Sequence, residues 1–440
     1  MEDSTTTLAR VTSRPSVRDV LRLRNFKLLW LGEAVSLIGD QFYLIALPWL
    51  VLQMTGDALA VGAVLALAGI PRAIFMLVGG ALTDRFSPRI IMLVSNLLRL
   101  GLISLLAVLI IGGAIQLWML YIFALLFGLA DAFFYPAQSS IIPQIVAEKD
   151  LQTGNAIVQG TAQLSLFLGP VMAGGMIALF AGRTTETASL RGIGLAMAVD
   201  AATFLVSAVT LWFIKLPRPS TNEKANPAES VLSAIKQGLV YVWRDETLRI
   251  FFLVVAAIST LLSGVFAVGI PVLVNARFTE GAVALGLIMS AFGAGSLLGT
   301  GLAGLLPKPP QGHLGTILLL GTAVMGLALI SFAFVHSLPL AILTSLVNGI
   351  ADGYVVIMFI TWLQLRTPEA MLGRMMSLLM FASVGLAPVT TAVTGALLDL
   401  NLTGVFLGAG ILLLGIVLLA LSNPTVRAMS AQPAHMEIGD

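Results

Sequence analysis

Runs of about twenty apolar residues recur twelve times along this chain of 440 residues. That length lets a helix cross the hydrocarbon core of a bilayer, and only helices or closed barrels satisfy every backbone N–H and C=O there. The runs are Leu28–Leu52, Ala58–Ala81, Ile90–Gly112, Leu117–Ala137, Ala156–Phe180, Ile193–Lys215, Leu248–Val274, Ala282–Leu306, Leu314–Val335, Leu338–Trp362, Met375–Leu398 and Thr403–Leu421. The expected fold class is therefore an all-α membrane protein with twelve transmembrane helices. A soluble alternative fails on composition: 58% of the residues are hydrophobic and 10% charged, against about 25% charged in a soluble domain.

The twelve runs are two sets of six. Gly128-Leu129-Ala130-Asp131 returns as Gly349-Ile350-Ala351-Asp352 after 221 residues. Pro48 matches Pro271; Gly62, Gly69 and Gly80 match Gly286, Gly293 and Gly304; Ser165, Leu168, Pro170 and Val171 match Ser383, Leu386, Pro388 and Val389. Order is kept and the offset drifts only from 218 to 224. Chance similarity between apolar runs does not keep register, so the chain reads as two related six-helix bundles, an arrangement many transporters share.

The basic residues orient the chain. With both termini in the cytoplasm, 19 of the 24 Lys and Arg are cytoplasmic. Arg183, Arg191 and Arg277 are external, and Arg72 and Arg99 lie within spans. The positive-inside rule selects this topology. Residues 1–27 then form an N-terminal tail, 28–216 the first bundle, 217–247 a cytoplasmic linker, 248–422 the second bundle and 423–440 a C-terminal tail. The linker carries Val231, Leu232, Ile235, Leu239, Val242 and Trp243 at helical spacing, as an amphipathic connector at the membrane surface would. The stretch before Phe26 carries five arginines and no apolar core, so no cleaved signal peptide is expected.

Several function classes drop out. Without cysteine there are no disulfides, thiolate metal sites or thiol chemistry. His313, His336 and His435 fall in loops or the tail, so no metal centre is expected. There is no catalytic triad, zinc spacing or Walker loop, hence no expected enzyme activity, cofactor or intrinsic ATP drive. Gly293-Ala294-Gly295-Ser296-Leu297-Leu298-Gly299 formally matches a dinucleotide fingerprint, but within an apolar span it reads as small-residue helix packing. The expected partners are a small-molecule substrate, protons and the lipid bilayer, with no nucleic acid and a monomeric state.

Gly80-Ala81-Leu82-Thr83-Asp84-Arg85-Phe86-Ser87-Pro88-Arg89, between the second and third spans, resembles the loop signature of the major facilitator superfamily. Ser87 and Pro88 depart from it, and the second half's Gly304-Leu305-Leu306-Pro307-Lys308 lacks the aspartate. Gly169-Pro170 followed by Gly174-Gly175 resembles the antiporter signature of that superfamily. Gly128–Ala137 with Ile142-Pro143-Gln144 resembles its macrolide-efflux and enterobactin-exporter branch. The resemblance implies a major facilitator fold and proton-coupled antiport at a bacterial inner membrane. It also implies a conformational latch of Gly80, Asp84, Arg85, Arg89 and Asp131, with Asp131 meeting Arg85 or Arg89 at the cytoplasmic side.

Acids inside spans carry the remaining chemistry. Glu33 and Asp40 are seven residues apart in the first span, nearly on one face and about 10 Å apart in depth. Carboxylates near a span centre cost about 2.5–3.5 kcal/mol each on insertion scales. Facing a cavity, they could load and release protons. Arg72 and Arg99 need anions, and Asp40 is the nearest in depth to Arg72. Asp352 has Arg366 and Arg374 as its nearest cytoplasmic cations in sequence. The five acids within spans, Glu33, Asp40, Asp131, Asp200 and Asp352, exceed the two arginines by three, which suits protons or cationic substrates. The expectation is a secondary transporter that exports a hydrophobic or amphipathic compound against protons. The alternatives are uptake, lipid translocation through the same cleft, or a non-transporting receptor or assembly factor.

Overall fold

The computed structural model describes residues 17–83, 86–180, 186–216, 239–307, 309–310 and 312–427. Among these there is no strand. Eleven helices are long and apolar enough to cross a membrane. The remaining span, the eleventh, is divided into Glu369–Val384 and Ala387–Leu400, so twelve spans are present. Its break falls just before Pro388, which has no N–H to continue the preceding helix. Of the linker, residues 239–244 are helical and Val242 is packed beneath the second bundle. Val231, Leu232 and Ile235 lie outside the described residues.

Most of the spans contribute to the site. The first is Arg24–Thr55, the second Ala58–Thr83, the third Pro88–Ile111 and the fifth Leu151–Phe180. The fourth runs from Leu117 to Ile145, with a turn irregularity at Phe133. The seventh runs from Glu246 to Arg277 and contains a π-helical stretch at Val265–Gly269 ahead of Pro271. The tenth is Leu338–Arg366. The fourth helix continues eight residues past the apolar run that marks it in sequence, to Ile145, and the tenth four residues, to Arg366. Asp131 and Asp352 are each the fifteenth of 29 residues, midway along their helices. Polar residues such as Gln138 and Ser139 extend the fourth helix without broadening the apolar signal.

The two halves meet along two crossings that the sequence repeat exchanges. A Cβ on Gly174 of the fifth span would lie 2.3 Å from the carbonyl oxygen of Ala282 and 3.1 Å from the Cα of Gly286 in the eighth span, Ala282–Leu305. At the other crossing, a Cβ on Gly62 would lie 2.5 Å from the carbonyl oxygen of Thr391 and 3.2 Å from the Cα of Gly395. Only glycine permits such backbone approach. Gly62 and Gly286 are repeat partners, so the same device closes both sides.

The hydrogen bonds between the halves cluster toward one face. Gln53 donates to Asn275 at 3.0 Å. Asp399, at the end of the eleventh span, accepts from the backbone N–H groups of Ala58 and Leu59 at 3.0 and 3.1 Å. Deeper in, Val171 N–H reaches the Ser290 hydroxyl at 2.8 Å. The other face, where the first span begins and the twelfth (Leu402–Ser422) ends, is called the terminal face below. No hydrogen bond or ion pair joins the halves there among the described residues.

One stripe of the fifth span shows the divergence. Gln152, Asn155, Gln159, Gln163, Leu166, Pro170 and Gly174 follow at steps of three and four and so share a helix face. Near the far face, Leu166, Pro170 and Gly174 abut the eighth span. Toward the terminal face the stripe turns polar, and Gln152, Asn155 and Gln159 are exposed. Among the described residues, the halves are joined by hydrogen bonds and close glycine contacts toward the far face.

Candidate functional site: a charged cluster beside a central cavity

The first-half acids and arginines converge on one cluster. Asp131 stands between both arginines, with Oδ2 3.1 Å from Arg72 Nε and Oδ1 3.2 Å from Arg99 Nη1. Asp40 Oδ1 is 4.0 Å from the same Arg99 nitrogen. The Arg99 guanidinium also lies over the rings of Phe134 and Phe204, 4.1 and 4.9 Å from their centroids. That contact suits a cation withdrawn from water. Glu33 accepts a short hydrogen bond from Gln138. Asp200 is fully buried in the sixth span, Glu186–Phe213, where a Cβ on Gly39 of the first span would lie 2.8 Å from its Oδ1.

These partners correct the sequence expectation in two respects. Arg72 pairs with Asp131, not with Asp40. Arg89 does not hold Asp131: it donates to the backbone carbonyls of Leu211 and Trp212 at 2.8 and 2.6 Å. Those carbonyls end the sixth span, where orphan C=O groups attract a cation. Asp84 and Arg85 lie outside the described residues, and Gly80 sits in the last turns of the second span. The rotational phase of each helix decided the pairing, and depth alone could not.

Accessibility separates the members of the cluster. Arg99 and Asp131 keep 2% and 7% of their side-chain surface, whereas Asp40 and Arg72 keep 25% and 30%. Asp131 is therefore a sealed ion-pair hub, and Asp40 is the acid of its ion-paired group with an open side. The whole cluster sets four carboxylates against two guanidinium groups. Two negative charges remain to be met by protons, water or a cation, because unpaired charges are not stable in a low-dielectric interior.

Beside this cluster is a cavity of about 400 Å³ between the two halves. The first half lends it Gln41, Leu44 and Pro48; the second lends Ser263, Phe266, Phe292 and Asp352. Gln41 follows Asp40 directly, so adjacent residues of the first span serve the cavity and the cluster. Gly169 allows this approach, since a Cβ there would lie 2.4 Å from Gln41. Pro170 also lines the cavity. A Cβ on Gly175 would meet nothing within 4 Å, so this glycine takes no part in the crossing. Phe266 belongs to the π-helical stretch, and such bulges often mark functional sites.

Asp352 is where sequence reasoning was least informative. It is the only charged side chain lining the cavity, and it makes no ion pair among the described residues. Arg366 is committed elsewhere, to Asp245 at 2.7 Å with its guanidinium over Trp362. No group of His, Asp and Glu among the described residues could hold a metal ion.

The family model described as Major Facilitator Superfamily matches residues 29–391. The multidrug efflux pump Tap of Mycolicibacterium fortuitum is 26% identical over 407 residues, covering 90% of this chain and 95% of that protein. Macrolide efflux protein A of Streptococcus pyogenes is 24% identical over 281 residues, covering 61% of this chain and 66% of that protein. The fold resembles the crystal structure of a POT family transporter in complex with 5-aminolevulinic acid. That comparison has a TM-score of 0.70 at 14% identity and covers 92% of this chain and 96% of that one.

Proposed function

The chain belongs to the major facilitator superfamily, and from that premise we propose that it exports hydrophobic or amphipathic small molecules in exchange for protons. It is a multi-pass membrane transporter, not an enzyme. In this reading both termini are cytoplasmic, the membrane is the bacterial cell membrane, and the central cavity opens inward at the terminal face. Substrate enters the central cavity from that side. The halves then rock about the glycine crossings, closing the terminal face and opening the far one.

One observation carries the proton: four first-half carboxylates stand against two arginines, and Asp40 keeps an open side next to cavity-lining Gln41. An acid in that position can exchange a proton with whichever face the cavity meets. Substrate and proton then compete for one conformational equilibrium, which is the requirement for antiport. The apolar wall of the cavity and the efflux relatives support the substrate class and the direction.

Sealed inverted vesicles carrying the protein test this reading, with ethidium as the fluorescent probe. An imposed pH gradient should drive uphill ethidium uptake into the vesicles, and collapsing the gradient should stop it. Asp40→Asn should abolish uphill movement while sparing downhill exchange. Uphill movement that persists without the gradient, or with Asp40→Asn, refutes proton antiport.

A further inference from the structure

We infer that Asp352 is the counter-ion for a lipophilic monocation bound in the central cavity, so that substrate charge is read by the second half. This rests on the transporter reading above and assigns its substrate class. The cavity is almost entirely apolar, with Gln41, Ser259, Ser263 and Ser383 as neutral polar groups and Asp352 as its one charge. An anion would find no cation there, because Arg72 and Arg99 are held by Asp131 and Asp40. A neutral compound filling the cavity would displace water from the Asp352 carboxylate and leave it without a partner, which costs free energy. A compact cation with apolar substituents removes that cost and matches the rest of the wall.

The aromatic wall supports the same chemistry. Phe266 and Phe292 both line the cavity, with ring centroids 4.8 Å apart. Ring faces attract cations, and the attraction strengthens where water is excluded. Phe266 is carried by the π-helical stretch Val265–Gly269. The volume of about 400 Å³ falls within the range of about 300–1,000 Å³ usual for small-molecule sites. Asp352 belongs to the second half and the charged cluster to the first, so the substrate cation and the coupling proton meet different carboxylates. Binding the cation in one half while a proton sits in the other would bring charge of one sign close together, which gives the two ligands a reason to exclude each other.

Equilibrium binding to the purified full-length protein in detergent tests this. Tetraphenylphosphonium is the cationic probe and triphenylphosphine oxide the neutral one. The wild type should bind the cation at least about tenfold more tightly than the neutral compound, and Asp352→Asn should lose about tenfold in cation affinity while leaving the neutral compound unchanged. Asp352→Glu should restore cation binding, which separates loss of charge from misfolding. Equal affinity of the wild type for both probes, absence of cation binding, or an unchanged Asp352→Asn affinity overturns the assignment. No gradient is present in this measurement. A failure of proton antiport therefore leaves it intact, and a failure here leaves the vesicle experiment on Asp40 intact.

Discussion

Asp131 holds Arg99 at 3.2 Å in the interior of the first bundle, where the arginine keeps only 2% of its side-chain surface. The aspartate that marks the repeat is thus a structural hub in one half, while its repeat partner Asp352 lines the cavity with no ion pair among the described residues. Removing one member of a buried pair strands the other, at a cost of roughly 3–5 kcal/mol. Asp131→Ala should therefore lower the Tm in detergent sharply or abolish folded yield. A Tm within a degree of wild type would show that Arg99 is satisfied without it.

Gly174 should be intolerant of bulk because of the carbonyl oxygen of Ala282. Gly174→Leu is expected to disfavour closure of the far face by roughly 1–3 kcal/mol, a population shift of about fivefold or more. The chain has no cysteine, so single-cysteine reporters read this directly. A reporter at Ser290→Cys should label faster, and one at Gln159→Cys more slowly. Equal rates in both backgrounds would contradict the closure geometry.

Asp399 supplies a second half's carboxylate to the start of the second span, where Asp57 already accepts from Leu59 N–H at 2.7 Å. Loss of a cap costs about 1 kcal/mol. Since this cap bridges the halves, Asp399→Ala should open the far face about fivefold more often without unfolding either bundle. Faster Ser290→Cys labelling at unchanged Tm is the expected result; a lowered Tm with unchanged labelling would make the contact merely structural.

Asp245, at the terminal face, has a pH signature. Partial burial pushes its carboxyl up, but hydrogen bonds from Arg366 and from Leu248 N–H outweigh this and hold it below its ordinary value. A depressed carboxyl stabilises the fold above its unfolded pKa and loses that contribution as pH falls through the folded value. Asp245→Asn should thus melt below wild type at pH 7. The gap should close as pH drops below about 4. A gap that is constant with pH would assign the effect to packing.

The architecture was legible because membrane spans and repeats are written in local composition. Apolar runs mark the helices, and the repeated glycines Gly62 and Gly286 mark the crossings even before their contacts are known. The antiporter-like Gly169, Pro170 and Gly174 likewise fall where the fifth span meets its neighbours. Helix ends were less legible. The fourth span runs on through polar residues such as Gln138, which meets Glu33, and this places Asp131 at mid-helix.

The sequence by itself determined that this chain is a two-fold repeated bundle of membrane helices carrying more buried acid than base. Only the tertiary structure decided which acid meets which arginine. Neighbouring residues on a helix point about 100° apart, so Asp40 and Gln41 serve different chambers although no local pattern distinguishes them. Partner choice depends on how several helices are rotated against one another. That rotation is set by close glycine contacts and ion pairs between segments distant in sequence, and it is what seals Asp131 and leaves Asp352 facing the cavity.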